Sequence, residues 1–252
     1  MHNFIRNLYL SLVPEETRLK IYKLRNPKHY AKLRSQINPS PKGDFSLLPF
    51  DKYHTIFVHI TKTAGTSVAR SLFTYLPYHY TAIQYRILYG KKTFNEYFKF
   101  AFVRNPWDRL YSSYRYLKSG GWNDDDQKWS NENLSEYKDF NDFVINWLSK
   151  SNIKKHIHFK PQCEFVCDKN NNILVDYIAY FESLDTEFNI IAKKLNIQSE
   201  LGSFNMNPGQ SYKDVYNDEM IKIVREVYDN DINIFGYDFD TIVKKIEYTP
   251  HK

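Results

Sequence analysis

The plainest pattern in the chain is a set of short apolar runs, each followed by residues at helical spacing. Residues 55–60, 99–103 and 175–181 are apolar with few interruptions. Such runs predict short strands buried on both faces. Helical periodicity follows at 66–75, with Val68, Leu72 and Phe73 on one side. It recurs at 106–117, where Pro106 marks a first helical position, and at 139–150 and 187–195. The last such segment, 218–230, carries Met220, Ile223, Val224 and Val227 in step. Strands alternating with helices predict an α/β domain built on a parallel sheet.

Outside that alternation, residues 1–38 are basic and helical in spacing, with Phe4, Leu8, Leu12, Leu19, Tyr22 and Leu33 as apolar points. They predict an arm that packs on the core or touches a membrane surface. Pro39, Pro41, Gly43 and Pro49 mark a loop after it. The division expected is 1–50 for arm and linker and 51–245 for the main domain. Residues 120–133 are mostly polar and are expected to form a loop. The Asp-Lys-Asn-Asn-Asn stretch after Cys167 is a turn. There is no internal repeat.

Composition narrows the partners. The 252 residues are 42% hydrophobic and 25% charged, which suits a folded domain and excludes a disordered chain. A net charge of +6 suits an anionic partner: a phosphorylated nucleotide, an acidic glycan, a nucleic acid or a membrane surface. Simple solubility would produce the same excess. Cys163 and Cys167 have no second Cys or His cluster at zinc spacing, so no metal site is expected. No apolar run is long enough to cross a membrane as a helix, and no secretory signal is evident. The expected location is the cytoplasm.

Two of the strands end in unusual chemistry. The first reads I-F-V-H-I-T-K-T-A-G-T-S over 56–67. A strand entering a small-residue loop and then a helix forms an anion site, because the first helical N–H groups lack acceptors and the helix dipole is positive there. Lys62 adds a point charge, Thr63, Thr66 and Ser67 add hydroxyls, and Ala64 and Gly65 keep the loop small. The glycines that precede the Lys in a nucleotide triphosphatase loop are missing. A solvated lysine at a strand–helix turn is the plain alternative.

The second stretch, F-A-F-V-R-N-P-W-D-R-L-Y-S-S-Y over 100–114, ends its strand at Arg104 and starts a helix at Pro106. Ser112 then falls about two turns in, where it and Arg104 can converge on one phosphate. An Arg104–Asp108 pair is the alternative. On a parallel sheet both groups sit at the carboxyl edge, where open α/β folds bind ligands.

Together these stretches resemble the two donor-binding motifs of sulfotransferases that use 3′-phosphoadenosine 5′-phosphosulfate. The similarity is to the carbohydrate enzymes, including the heparan sulfate 2-O-sulfotransferase and chondroitin types. H-F-K-P-Q-C-E-F-V at 158–166, D-Y-I-A-Y-F-E-S-L at 176–184 and D-I-N-I-F-G-Y-D-F at 231–239 extend it. The resemblance implies a three-layer α/β/α, P-loop-like fold with a central parallel sheet. It also implies that 62–67 hold the 5′-phosphosulfate, that Arg104 and Ser112 hold the 3′-phosphate, and that a carbohydrate hydroxyl is the acceptor. Thr61 stands where that family usually has Pro. The membrane anchor of its animal Golgi members is not seen here, which fits a cytoplasmic bacterial enzyme, at most peripheral to the inner membrane through the arm.

For the chemistry, Lys62 is expected to neutralise charge on the leaving phosphate. His79, in P-Y-H-Y-T-A-I-Q-Y, resembles the family's base and titrates in the useful range. His59, inside the strand, is expected to be structural. His158 and Lys160 are expected to contact the acceptor, with Lys155 and His156 beside them, unless they form a solvated basic loop. Glu164 and Glu182 are weaker base candidates, Glu182 being the better helix cap or orienting group. Ser211 and Lys213, in a loop over 205–216, are expected to close over the 3′-phosphate or adenine. Trp107 is expected in the core and Trp122 is available to stack on a ring. A Mg²⁺-dependent kinase and a non-catalytic module binding polyanionic glycan or nucleic acid are the competing readings. The sulfotransferase reading expects no metal and no nucleic acid.

Overall fold

A computed structural model describes residues 13–41, 43–202 and 210–246. The arm is two helices, α1 (Glu15–Arg25) and α2 (Pro27–Ser35), broken where Pro27 removes a backbone donor. Leu33 is buried in the core and Glu15 accepts from Arg86 Nη2 at 2.6 Å, so this segment lies on the domain. Helix α3 (Leu48–Tyr53) leads into β1 (Thr55–Phe57), and α4 (Gly65–Phe73) follows the cradle loop.

Helix α5 (Ala82–Glu96) falls in a stretch for which the periodicity predicts no element. A capping box starts it: Thr81 Oγ1 accepts from Gln84 N–H while Gln84 Oε1 accepts from Thr81 N–H. Next come β2 (Phe98–Val103), α6 (Pro106–Lys118), α7 (Asp124–Asn133) and α8 (Phe140–Asn146). The expected loop at 120–133 is therefore mostly helix. Asn123 caps it and three aspartates occupy its positive first turn, so it stands without an apolar stripe. The short α9 (Cys163–Val166) precedes β3 (Tyr177–Tyr180), followed by α10 (Leu184–Lys194). The expected closing helix is two, α11 (Asp218–Val227) and α12 (Asp229–Phe235), because Tyr228 leaves helical geometry at φ −108°, ψ 29°.

The three strands form a parallel sheet in the order β1-β2-β3. Thr55 pairs with Phe98 and Val103 with Tyr180. Beyond β1 the chain stays extended, and Val58 N–H bonds Phe100 C=O at 2.9 Å. Ile56, Phe57, Phe100, Ala101, Phe102, Val103 and Ala179 are buried, so helices cover both faces of the sheet. This is the expected α/β/α architecture. A buried Lys99–Asp176 ion pair of 2.8 Å fixes β3 beside β2.

A second apolar cluster joins α6, α8 and α11 through Trp107, Leu110, Tyr114, Phe143, Val144, Met220 and Val224. Trp107 is fully buried and its Nε1 donates to Ile221 C=O at 3.2 Å, as a core residue does. This cluster holds α6 rigidly against the sheet edge, where the polar face of that helix meets the strand-end loops.

Candidate active site

Because all three strands run parallel, their carboxyl ends share one edge. Thr61 to Ser67 lie beyond β1, Arg104 follows β2 directly, and Phe181 and Glu182 follow β3.

The loop after β1 is strained in a defined way. Lys62 has φ 66° and Ala64 φ 61°, both left-handed, and neither is glycine. Each costs of order 1–2 kcal/mol, and such residues cluster at ligand sites. The turn aims the start of α4 at the sheet edge. Val68 N–H reaches Ala64 C=O at 3.1 Å, so the helix begins here and its N-terminal end faces the loop. Gly65 is required by close approach: a Cβ there would lie 2.0 Å from His59 Cδ2. Thr63 is buried and its hydroxyl donates to Ile60 C=O at 3.0 Å, so it braces the loop. Ser67 is also buried, while Thr66 is half-buried at the rim.

Lys62 lays its ammonium 4.2 Å from the centre of the Tyr116 ring. Burial pushes its pKa down to about 8, and the Arg104 and Arg109 guanidinium groups push the same way. The fit to an anion is therefore physical: a desolvated lysine beside two arginines gains from a phosphate or sulfate neighbour.

Arg104 donates to both Asp108 oxygens, at 2.7 and 2.8 Å, and to Lys62 C=O at 3.1 Å, over the ring of Phe181. Asp108, Ser112 and Tyr116 recur every four residues and share one face of α6. Ser112 thus sits between the Arg104–Asp108 pair and the Lys62–Tyr116 pair. Among the described residues its hydroxyl has no protein partner.

His79 is half-buried, with its ring 4.2 Å from that of His59. Its Nδ1 lies 2.8 Å from His59 C=O and must carry the hydrogen, which leaves the Nε2 lone pair as the basic position. Burial lowers its pKa, with Arg109 pushing the same way, so the ring is neutral near pH 7. His59 is buried with Nδ1 near Pro77 C=O at 3.4 Å, and burial holds its pKa well below the usual value. Its part is structural.

His158 also comes to this edge, edge-on to Tyr116 at 4.7 Å, and its buried Nδ1 has no partner among the described residues. Burial holds its pKa well below normal, with His156, His79 and Lys62 adding to the effect. His156 stacks on His158 at 5.2 Å and approaches Asp126 at 3.4 Å. Lys160 instead turns its ammonium toward Glu164, at 3.6 Å. Lys213 turns to Asp240, at 3.1 Å, and Ser211 Oγ accepts from Lys213 N–H at 3.3 Å. Much of the 205–216 loop, 205–209, lies outside the described residues. Trp122 is 61% exposed.

Some residues of the site escape sequence reasoning. Arg109 is buried and donates to Thr61 C=O, Thr61 Oγ1 and Lys160 C=O, each at 2.9 Å. Tyr116 donates to Asp126 at 2.7 Å. Buried Gln162 accepts from Arg104 N–H at 2.9 Å and donates to Arg104 C=O at 2.8 Å. Behind it, Asp231 accepts from the N–H groups of Gln162 and Cys163 at 2.7 and 2.8 Å. Glu182, expected as an orienting group, accepts from Asn105 N–H at 2.6 Å and from Tyr237 O–H at 2.9 Å. Asn105 in turn donates to Asp238 C=O and Phe239 C=O. A hint existed for Arg109, which lies at the edge of the apolar arc of its helix. For the others the polar partners are distant in sequence.

The model of the sulfotransferase family matches residues 46–238, which includes both strand-end motifs and the segments that brace them. The chain belongs to the sulfotransferase family. A protein of Archaeoglobus fulgidus, described only as uncharacterized, is 32% identical to this sulfotransferase-family chain over 113 residues, 44% of this chain and 78% of its own length. No solved structure matches this chain. Family membership indicates sulfuryl transfer to an acceptor. Among the described residues of this sulfotransferase-family protein no helix is long and apolar enough to cross a membrane, and no group of three or more His, Cys, Asp or Glu could hold a metal.

Proposed function

We propose that the protein moves a sulfuryl group from 3′-phosphoadenosine 5′-phosphosulfate to a carbohydrate hydroxyl, with residues 51–245 as the transferase domain and 1–50 as arm and linker. The observation that carries this reading is the contact between the two strand ends: Arg104 Nη1 donates to Lys62 C=O at 3.1 Å. On this reading the cation for a 3′-phosphate lies next to the loop for a 5′-phosphosulfate, and the contact supports it. The nucleotide donor supplies an activated sulfuryl group. Loop N–H groups of 63–67 and the Lys62 ammonium hold its 5′ end, while Arg104 and Ser112 hold the 3′-phosphate. Ser211 and Lys213 belong to the loop beside that phosphate.

In the transfer, His79 Nε2 takes the acceptor hydroxyl proton and the acceptor oxygen bonds to sulfur. The bond from sulfur to the bridging oxygen breaks in line, and its electron pair stays on the 5′-phosphate. Lys62 stabilises that developing charge. A neutral His79 is what this step needs. His158, Lys160 and the aromatic rings beside them would receive the sugar. The basic arm is the part suited to an anionic membrane surface, which fits a cytoplasmic enzyme acting on a surface-polysaccharide precursor.

The test is titration with adenosine 3′,5′-bisphosphate and with AMP. Wild type should bind the bisphosphate far more tightly. Arg104→Ala should lose roughly 10- to 100-fold for the bisphosphate, the worth of charge-assisted phosphate bonds, and little for AMP. Equal binding of the two nucleotides would refute the 3′-phosphate assignment.

A further inference from the structure

Arg109 is 2% exposed, yet among the described residues no carboxylate comes within ion-pair distance of it. A guanidinium stays charged even where, as here, burial lowers its pKa. A buried charge without a counter-ion is costly, so its contacts need a reason. They go to two places. Nε and Nη2 donate to the carbonyl and hydroxyl of Thr61, and Nη1 donates to Lys160 C=O. Thr61 Oγ1 also donates to Ile157 C=O at 3.3 Å and is 1% exposed. A proline at 61 would keep the carbonyl but lose the hydroxyl, and with it the acceptor for Nη2 and the donor to Ile157.

We infer that Thr61 and Arg109 form a buried clamp that joins the Lys62 turn to the loop 156–161, so that the anion cradle and the His158 loop keep a fixed relative position. The clamp grips the peptide immediately before Lys62, whose left-handed backbone aims its side chain. It also reaches the segment that carries His158, through Ile157 and Lys160. Arg109 is rigid in its own right, because its helix is packed by Trp107, Leu110 and Tyr114. Neither residue touches the reacting atoms, so both are positioning residues. Its uncompensated charge under the cradle has a second effect, which is to favour an anion above it.

This inference rests on the anion-binding reading of the cradle, and the experiment separates the two. Thr61→Val removes the hydroxyl at nearly constant shape, and Thr61→Ser keeps it. Amide hydrogen exchange and bisphosphate binding are measured on wild type and both variants. Thr61→Val should speed exchange in both 60–67 and 156–161 and weaken binding roughly tenfold, while Thr61→Ser stays near wild type. Faster exchange in 60–67 alone, or no change in Thr61→Val, would overturn the clamp. If wild type binds no bisphosphate, the functional reading fails and the exchange data still decide the clamp.

A third variant tests the charge. Lys62 faces Arg104, Arg109 and Arg115, with Asp126 acting oppositely and Tyr116 and His158 alongside. Arg109→Gln removes one repelling cation, so Lys62 should hold its proton to higher pH. The alkaline limb of bisphosphate binding, expected near pH 8 in wild type, should then move upward. A purely structural part for Arg109 would lower stability and leave that limb in place.

Discussion

Gly65→Ala is a sensitive probe of the cradle. Added at residue 65, a Cβ would lie 2.0 Å from His59 Cδ2 and 2.2 Å from Nε2, well inside contact distance. Backbone strain is not the issue, since Gly65 lies outside the positive-φ set. The imidazole must therefore swing, yet it is held by Pro77 C=O, by the Phe57 ring at 5.5 Å and by the His79 ring at 4.2 Å. Overpacking of this kind costs about 1–3 kcal/mol, and the lost hydrogen bond adds about 1. Alanine's advantage over glycine in a helix offsets about 0.5–1 kcal/mol. The net is roughly 1–3 kcal/mol, or about 2–12 °C in Tm for a chain of this size. Thermal unfolding with and without bisphosphate is the assay, and binding should weaken as well, because Gly65 opens the helix whose first N–H groups face the cradle. Removing the obstacle should restore part of the loss. In a double-mutant cycle, His59→Ala and Gly65→Ala should couple by about 1 kcal/mol or more. Strict additivity, or a Gly65→Ala protein as stable as wild type, would refute the close-approach argument.

Acid should destabilise the fold through its buried histidines. His59, His79 and His158 are held below the usual imidazole pKa, chiefly by burial, so below about pH 6.5 the unfolded chain binds more protons. Their contribution is fully present above that pH and falls as pH drops, by at most about 4 kcal/mol per pH unit for three such groups, measurable by urea unfolding between pH 7 and 5. Asp231→Asn should cost about 2–4 kcal/mol, because an amide cannot accept from both the Gln162 and Cys163 N–H groups in the same pose; a loss under 0.5 would refute that role. Leu33→Ala should cost about 2–4 kcal/mol in the same assay, and a neutral result would mean that the arm does not share the core.

The strands were legible because buried parallel strands are continuous apolar runs, and 98–103 is the clearest of them. The strand–loop–helix turn at 61–67 and the place of Arg104 at the end of β2 were legible because charge at the end of such a run is conspicuous. Helix α7 was hidden because caps and charge support it without an apolar face. Helix α5 did carry a readable signal, the Thr81–Gln84 capping box ahead of Ile87 and Leu88. The supports of the site were not legible for another reason. Gln162 and Asp231 act on backbone groups far away in the sequence, and no local spacing encodes those pairs. The Arg104–Asp108 pair belongs to the opposite case: both alternatives for Arg104 were visible at once, and in the structure Asp108 takes two guanidinium N–H groups while a third goes to the Lys62 carbonyl.

The bracing of the strand ends by the last part of the chain has a consequence for synthesis. Asp231 holds the Gln162 turn, Tyr237 holds Glu182, and Asp238 and Phe239 take the Asn105 amide. All of these leave the ribosome after the three strands. A nascent chain can pair its sheet early, but the strand-end loops stay unbraced until residues 231–239 have emerged. On the proposed reading, nucleotide affinity would be acquired only after residues 231–239 have emerged and docked on the strand ends.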